Sequence, residues 1–158
     1  MPSLVDSDAF GFLIGDLSRM LRSEMERRIA GAGLAITPGE GRTLAHIARH
    51  GVVRQNVLAE RIGVEAMTLS GFLDRLEVRG LVERSADPAD RRAKLVNLTD
   101  AAEEMLGEIH KLSQAMREEL SRILPDGEWA RLTEGLKTIR DRLVDNKCDP
   151  ARKDGPIA

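Results

Sequence analysis

Between residues 54 and 98 two short helical periods run straight into two strand-like runs around a charged loop, an order that few architectures accommodate. Residues 54–62 (RQNVLAERI) turn Val57, Leu58 and Ile62 inward, and Gly63 follows as a tight turn. Residues 65–79 then carry Leu69, Phe72, Leu73 and Leu76 at the i, i+3, i+4, i+7 spacing of one helix face. Two short helices joined in this way form a helix-turn-helix, whose second helix fits a major groove of duplex DNA. Many helical hairpins with a glycine turn never meet DNA, so the segment after the pair is the more specific signal.

Gly80 closes the second helix, and the runs 81–86 (LVERSA) and 94–98 (KLVNL) flank the polar loop 87–93 (DPADRRA). This is a β-hairpin with a charged tip, too long and too polar for a tight structural turn, and Asp87-Pro88 favours a bend at its start. A helix-turn-helix followed at once by such a hairpin is a winged helix, its wing placed to reach backbone or minor groove beside the recognition helix. The net charge of −2 means that any attraction to phosphate is local. Only the stretch 84–94 tips positive, through Arg84, Arg91, Arg92 and Lys94 against Asp87 and Asp90.

The flanks are long helices. Phe10, Leu13, Ile14, Leu17, Leu21 and Met25 recur at steps of three and four, predicting a helix over 8–30 that Gly31 and Gly33 end. Thr37-Pro38-Gly39-Glu40 reads as a capping box with proline at the first helical position, opening a helix that Gly51 stops after His50. Beyond the hairpin, Thr99 is placed to cap a helix carrying Met105, Ile109, Leu112, Met116, Leu120 and Ile123 inward, broken at Pro125. Trp129, Leu132, Leu136, Ile139 and Leu143 then form a seam that needs a partner helix. With Leu13 and Leu17 on the first helix, it leaves more apolar face than a small winged domain can cover, which predicts a homodimer.

Other classes find little support. The N-terminal run MPSLVDSDAF holds two acids and no basic run, and no apolar stretch approaches the roughly 20 residues of a membrane span, so the expected location is the cytoplasm. A single cysteine, Cys148, suits a reducing compartment and offers neither an internal disulfide nor a metal cage. His46 and His50 stand four apart and could share a helix face, but further zinc ligands, or a nucleophile with its orienting group, are not recognisable, so no metal, no cofactor and no enzyme activity are expected.

The runs Gly63-Val64, Thr68-Leu69-Ser70, Leu73-Asp74-Arg75-Leu76-Glu77 and Arg79-Gly80-Leu81-Val82 resemble the signature of the MarR (multiple antibiotic resistance regulator) family, as do Asp87-Pro88-Ala89-Asp90-Arg91-Arg92 and Val96-Asn97-Leu98-Thr99. The resemblance implies a mainly α fold with a small β-hairpin wing. Residues 1–146 would form a single domain, with a winged helix-turn-helix at 36–99, dimerisation helices at 8–33 and 100–146, and a polar tail over 147–158. It also implies a transcriptional regulator, repressor or activator, that binds a pseudo-palindromic double-stranded operator as a homodimer and responds to a small phenolic or aromatic carboxylate effector held between the dimer helices and the winged region. A winged module that binds protein instead of DNA is the alternative, consistent with the near-neutral charge.

For DNA contact the expected residues are Thr68, Ser70 and Arg75 on the second helix, with Asp90, Arg91, Arg92 and Lys94 in the wing. Thr68 and Ser70 are read as facing away from Leu69, Phe72 and Leu73. Arg75 is divided between phosphate and ion pairs with Asp74 and Glu77. Asp90 and Arg92, two apart in an extended loop, are read as a carboxylate orienting a guanidinium toward the minor groove, with Arg91 and Lys94 on phosphate. Two departures from the family pattern stand out: Gly71 occupies a position where many relatives carry arginine, and Arg54 and Glu65 replace the usual hydroxyl or Asx caps. Reactive cysteines of family sensors sit in the first helix, unlike Cys148.

Overall fold

The computed structural model describes residues 9–148. Its elements run α1 (Phe10–Gly31), α2 (Pro38–His50), β1 (Val53–Arg54), α3 (Gln55–Ile62), α4 (Ala66–Val78), β2 (Val82–Ala86), β3 (Lys94–Leu98), α5 (Ala102–Ser121) and α6 (Glu128–Cys148). The polar tail beyond Cys148 and the side chain of Cys148 itself lie outside the described residues. Among those residues, no helix is long and apolar enough to cross a membrane.

Local chemistry sets the helix ends. At α2 the Thr37 hydroxyl accepts from the Glu40 amide at 3.3 Å and the Glu40 carboxylate accepts from the Thr37 amide at 2.9 Å, the reciprocal pair of a capping box. At the end of α4 the Leu81 amide donates to the Leu76 carbonyl and the Gly80 amide to the Glu77 carbonyl, both at 2.9 Å. That double bond pattern needs a left-handed residue between helix and strand, and Gly80 supplies it with φ 69°. The expected cap at Thr99 is not formed: its hydroxyl donates to the Gly80 carbonyl at 2.5 Å, tying the exit of the hairpin to the end of α4.

The hairpin is part of a three-stranded antiparallel sheet in the order β1-β3-β2. β2 and β3 pair from Val82 with Leu98 to Ala86 with Lys94, while β1 sets Val53 against Val96. Periodicity shows no sign of β1, because two residues are too few to form an alternation. Val53, Val82 and Val96 point into one core with Leu44, Ile47, Leu58, Ile62, Leu69, Leu73 and Leu76, joined by Ile29 of α1 and Ile109 of α5. Each such side chain contributes about 1.5–3 kcal/mol when fully buried.

The chain divides within α5 into two compact units, one ending at Met116 and the other starting at Arg117. In the first unit, α1 leaves Phe10, Phe12, Leu13, Ile14 and Leu17 exposed; in the second, α6 leaves Leu132, Leu136, Ile139 and Leu143 exposed, with Trp129 half-buried.

Candidate nucleic-acid interface

The outward face of α4 differs from the sequence expectation. With Leu69, Leu73 and Leu76 wholly buried, a period of 3.6 residues places Met67, Gly71, Asp74 and Val78 opposite them. Thr68 is exposed on one flank of this face, and Ser70 is half-buried on the other. Met67, in the first turn, is 89% exposed. Its thioether carries no strong hydrogen-bonding group, so it stands outside the sequence-based site, although the helix period alone puts it on this face.

Most arginines around this helix are engaged within the protein. Arg75 donates to Glu40 at 2.5 Å and lies over the Phe72 ring, 5.5 Å from its centroid. It thereby joins α4 to the first turn of α2 and leaves Asp74 and Glu77 to another partner. That partner is Arg84 of β2, which reaches Asp74 at 2.6 Å and Glu77 at 2.5 Å and clamps the wing to α4. Arg54, the residue before α3, donates to Asp87 at 2.6 Å, and Arg79 donates to the Ala35 carbonyl.

The carboxylates respond accordingly. Burial alone would raise Glu40, but the Thr37 amide and Arg75 outweigh it and hold it below the ordinary carboxylate value. Arg84 lowers Glu77, and the Ala89 amide, followed by Arg54, lowers Asp87.

The wing tip is built on its two aspartates. Buried Asp87 accepts from the Ala89 amide at 2.8 Å, and its own amide donates to the Ala93 carbonyl at 3.0 Å. Asp90 accepts from the backbone amide of Arg92 at 3.0 Å. This corrects the expected pairing: a carboxylate two residues back in a turn meets the amide before it can meet the guanidinium, so Asp90 shapes the loop rather than holding the Arg92 side chain. Arg91, Arg92 and Lys94 are exposed, and none has a carboxylate within ion-pair distance among the described residues. Beside them a groove of about 450 Å³ runs between the wing and the first turns of α3 and α4, lined by Gln55, Asn56, Ala66, Asp90, Arg92 and Lys94. Neither α3 nor α4 has a side-chain cap on its N-cap residue. Gln55 and Asn56 are absent from the sequence-based site, and only their place beside the wing brings them in.

The sequence model of the MarR family matches residues 36–94, from just before α2 to the first residue of β3. A crystal structure of the transcriptional regulator PA3341 is 35% identical, over 86% of this chain and 98% of that one, with a TM-score of 0.68. This chain belongs to the MarR family. Wild-type MarR from E. coli in its apo form is 27% identical over 85% of this chain and 98% of its own, with a TM-score of 0.71. The HTH-type transcriptional regulator YfiV of Bacillus subtilis is 26% identical over 84% of this chain and 76% of its own length. The winged helix of this chain is thus the DNA-binding fold of a MarR family transcriptional regulator.

The first unit of this MarR-family chain holds a second concavity, a cleft of about 600 Å³ between α1, α2 and α5. Leu21, Met25, Ile29 and Ile109 supply apolar wall, while Arg22, Arg49 and Arg61 bring positive charge. Arg42 is paired with Glu26 at 3.1 Å. His46 also lines the cleft, its ring centroid 6.2 Å from that of His50. Burial, followed by His50, Arg49, Arg42 and Arg22, holds His46 below the ordinary histidine value, which favours its neutral form.

Proposed function

We propose that the protein is a sequence-specific regulator that binds a pseudo-palindromic duplex operator as a homodimer in the cytoplasm. α4 enters the major groove with Thr68 and Ser70 at its flanks, while Arg92 reaches the adjacent minor groove and Arg91 and Lys94 meet phosphate. Arg75 serves DNA binding indirectly, by fixing α4 against Glu40. The observation that carries this reading is the division of positive charge: Arg54, Arg75 and Arg84 are held by carboxylates, whereas Arg91, Arg92 and Lys94, beside the recognition helix, have no carboxylate partner among the described residues. A single basic tip on a near-neutral protein suits local phosphate contact.

Dimerisation would cover the exposed leucines of α1 and α6 and set two recognition helices into successive major grooves, about 10 base pairs apart. A small phenolic or aromatic carboxylate effector would suit the cleft, whose apolar wall and cationic residues match a ring and an anionic group. Selection of bound duplexes from random DNA, followed by titration at several salt concentrations, tests the reading. Enrichment of a two-fold-related site, with affinity falling as salt rises, is expected. A protein with neither enrichment nor salt slope would be the protein-binding module instead.

A further inference from the structure

We infer that Met67 is a specificity-determining residue that reads the C5-methyl group of a thymine in the major groove, an inference that rests on the DNA-binding reading above. Single apolar residues on a surface are ordinary, so exposure by itself decides nothing. The place of Met67 does. It is the second residue of α4 and points directly away from Leu69, Leu73 and Leu76, on the face that a groove would meet. The N-terminal residues of a recognition helix are those that reach base edges.

One turn further along the same face stands Gly71, where an added Cβ would find only the Arg75 guanidinium, at 3.6 Å. The bases can therefore approach the helix closely beside Met67, with no side chain of Gly71 to hold them off. Of the groups displayed in the major groove, the thymine methyl is the one apolar feature; guanine, adenine and cytosine offer hydrogen-bonding atoms that a thioether cannot satisfy. An unbranched, polarizable side chain settles over a methyl without the directional demands of a hydrogen bond. The other strongly exposed apolar residue on this face, Val78, lies at the far end of α4 beyond Asp74, whose carboxylate disfavours close approach of the DNA backbone there.

The test uses the full-length protein and the duplex recovered by selection. Each thymine of one half-site is replaced in turn by deoxyuridine, which removes the methyl and nothing else, and binding is titrated for the parent and for Met67→Ala. At one position the parent should lose about fourfold in affinity, the worth of one buried methyl. Met67→Ala should bind the unmodified duplex more weakly, lose no further affinity on that substitution, and keep the parent's response at every other thymine. A 5-methylcytosine at the same position should recover part of the contact that cytosine loses. If Met67→Ala and the parent respond identically to deoxyuridine at every position, Met67 reads no methyl and the inference fails while DNA binding stands. If the parent binds no duplex specifically, both readings fall together.

Discussion

The winged region and the outer helices use the same apolar residue types to opposite ends. Leu69, Leu73 and Leu76 of α4 are wholly buried, whereas Leu13 and Leu17 of α1 are 45% and 52% exposed and Leu132 and Leu136 of α6 are 48% and 39% exposed. All repeat at steps of three and four, so the period marks an apolar face in each case and does not say what covers it. In the winged region the sheet and α2 close over α4 from within one chain. The faces of α1 and α6 are contiguous rows left in water, larger than the scattered apolar residues an isolated protein tolerates, and such rows mark sites of association. One region is covered from within the chain; the other leaves its apolar rows exposed.

The largest effect expected from this contrast is on the closed side. Leu73→Ala should cost about 2–5 kcal/mol in denaturant unfolding, because a wholly buried leucine leaves a cavity as well as lost transfer energy. If Leu17→Ala costs as much, independently of protein concentration, the α1 face is closed within one chain and the contrast breaks. On the open side, if α6 forms the proposed dimer contact, Leu136→Glu should put a charge into it and yield monomers that keep the helical circular dichroism of the parent. A mutant that remains dimeric by light scattering would remove α6 from the interface.

Gly39 sharpens the closed side further, since a Cβ there would lie 2.4 Å from the Phe72 ring. Gly39→Ala should therefore destabilise by about 1–3 kcal/mol, read as a lower midpoint in urea. Arg92→Ala should leave fold and dimer intact and weaken operator binding by about 1–3 kcal/mol. Asp90→Ala should weaken it less, about 0.5–1.5 kcal/mol, through the lost bond to the Arg92 amide. Tighter binding by Asp90→Ala at matched salt would show that the carboxylate only repels phosphate and that its loop bond is dispensable.

The smallest effect is on acid stability. Glu40, Glu77 and Asp87 are each held below their ordinary values in the folded chain. A depressed carboxylate contributes stability that is complete above its unfolded value, about 4, and is lost as pH falls through the lower folded value. Stability should thus decline on acidification below about pH 4, and Glu40→Gln, already without that charge, should show a shallower decline in thermal melts across this range. An unchanged acid limb in Glu40→Gln would mean that the Arg75 pair contributes nothing measurable.

Much of the fold was legible because its signals are local. Thr37 and Glu40 are three residues apart, and their capping box follows from chain geometry that any helix start shares. The two strands of the wing, and helices α2 to α4, fall within one or two residues of the positions read from periodicity and glycines. β1 was not legible, since Val53 and Arg54 become a strand only by pairing with Val96 and Leu95, more than forty residues later. The roles of the charges escaped for the same reason. Arg75 finds Glu40 thirty-five positions away, and Arg54 finds Asp87 thirty-three away.

What the sequence by itself determined is therefore the order of the helices, the two strands of the wing and the charged tip between β2 and β3, because short-range hydrogen bonding and side-chain period suffice to specify them. Tertiary structure alone decided which of the arginines around α4 and the wing are held by carboxylates. A guanidinium is claimed by whichever carboxylate the packed core brings within about 3 Å, and Arg54, Arg75 and Arg84 are claimed in this way, while Arg91, Arg92 and Lys94 stay exposed in the wing and Met67 stays exposed in the first turn of α4.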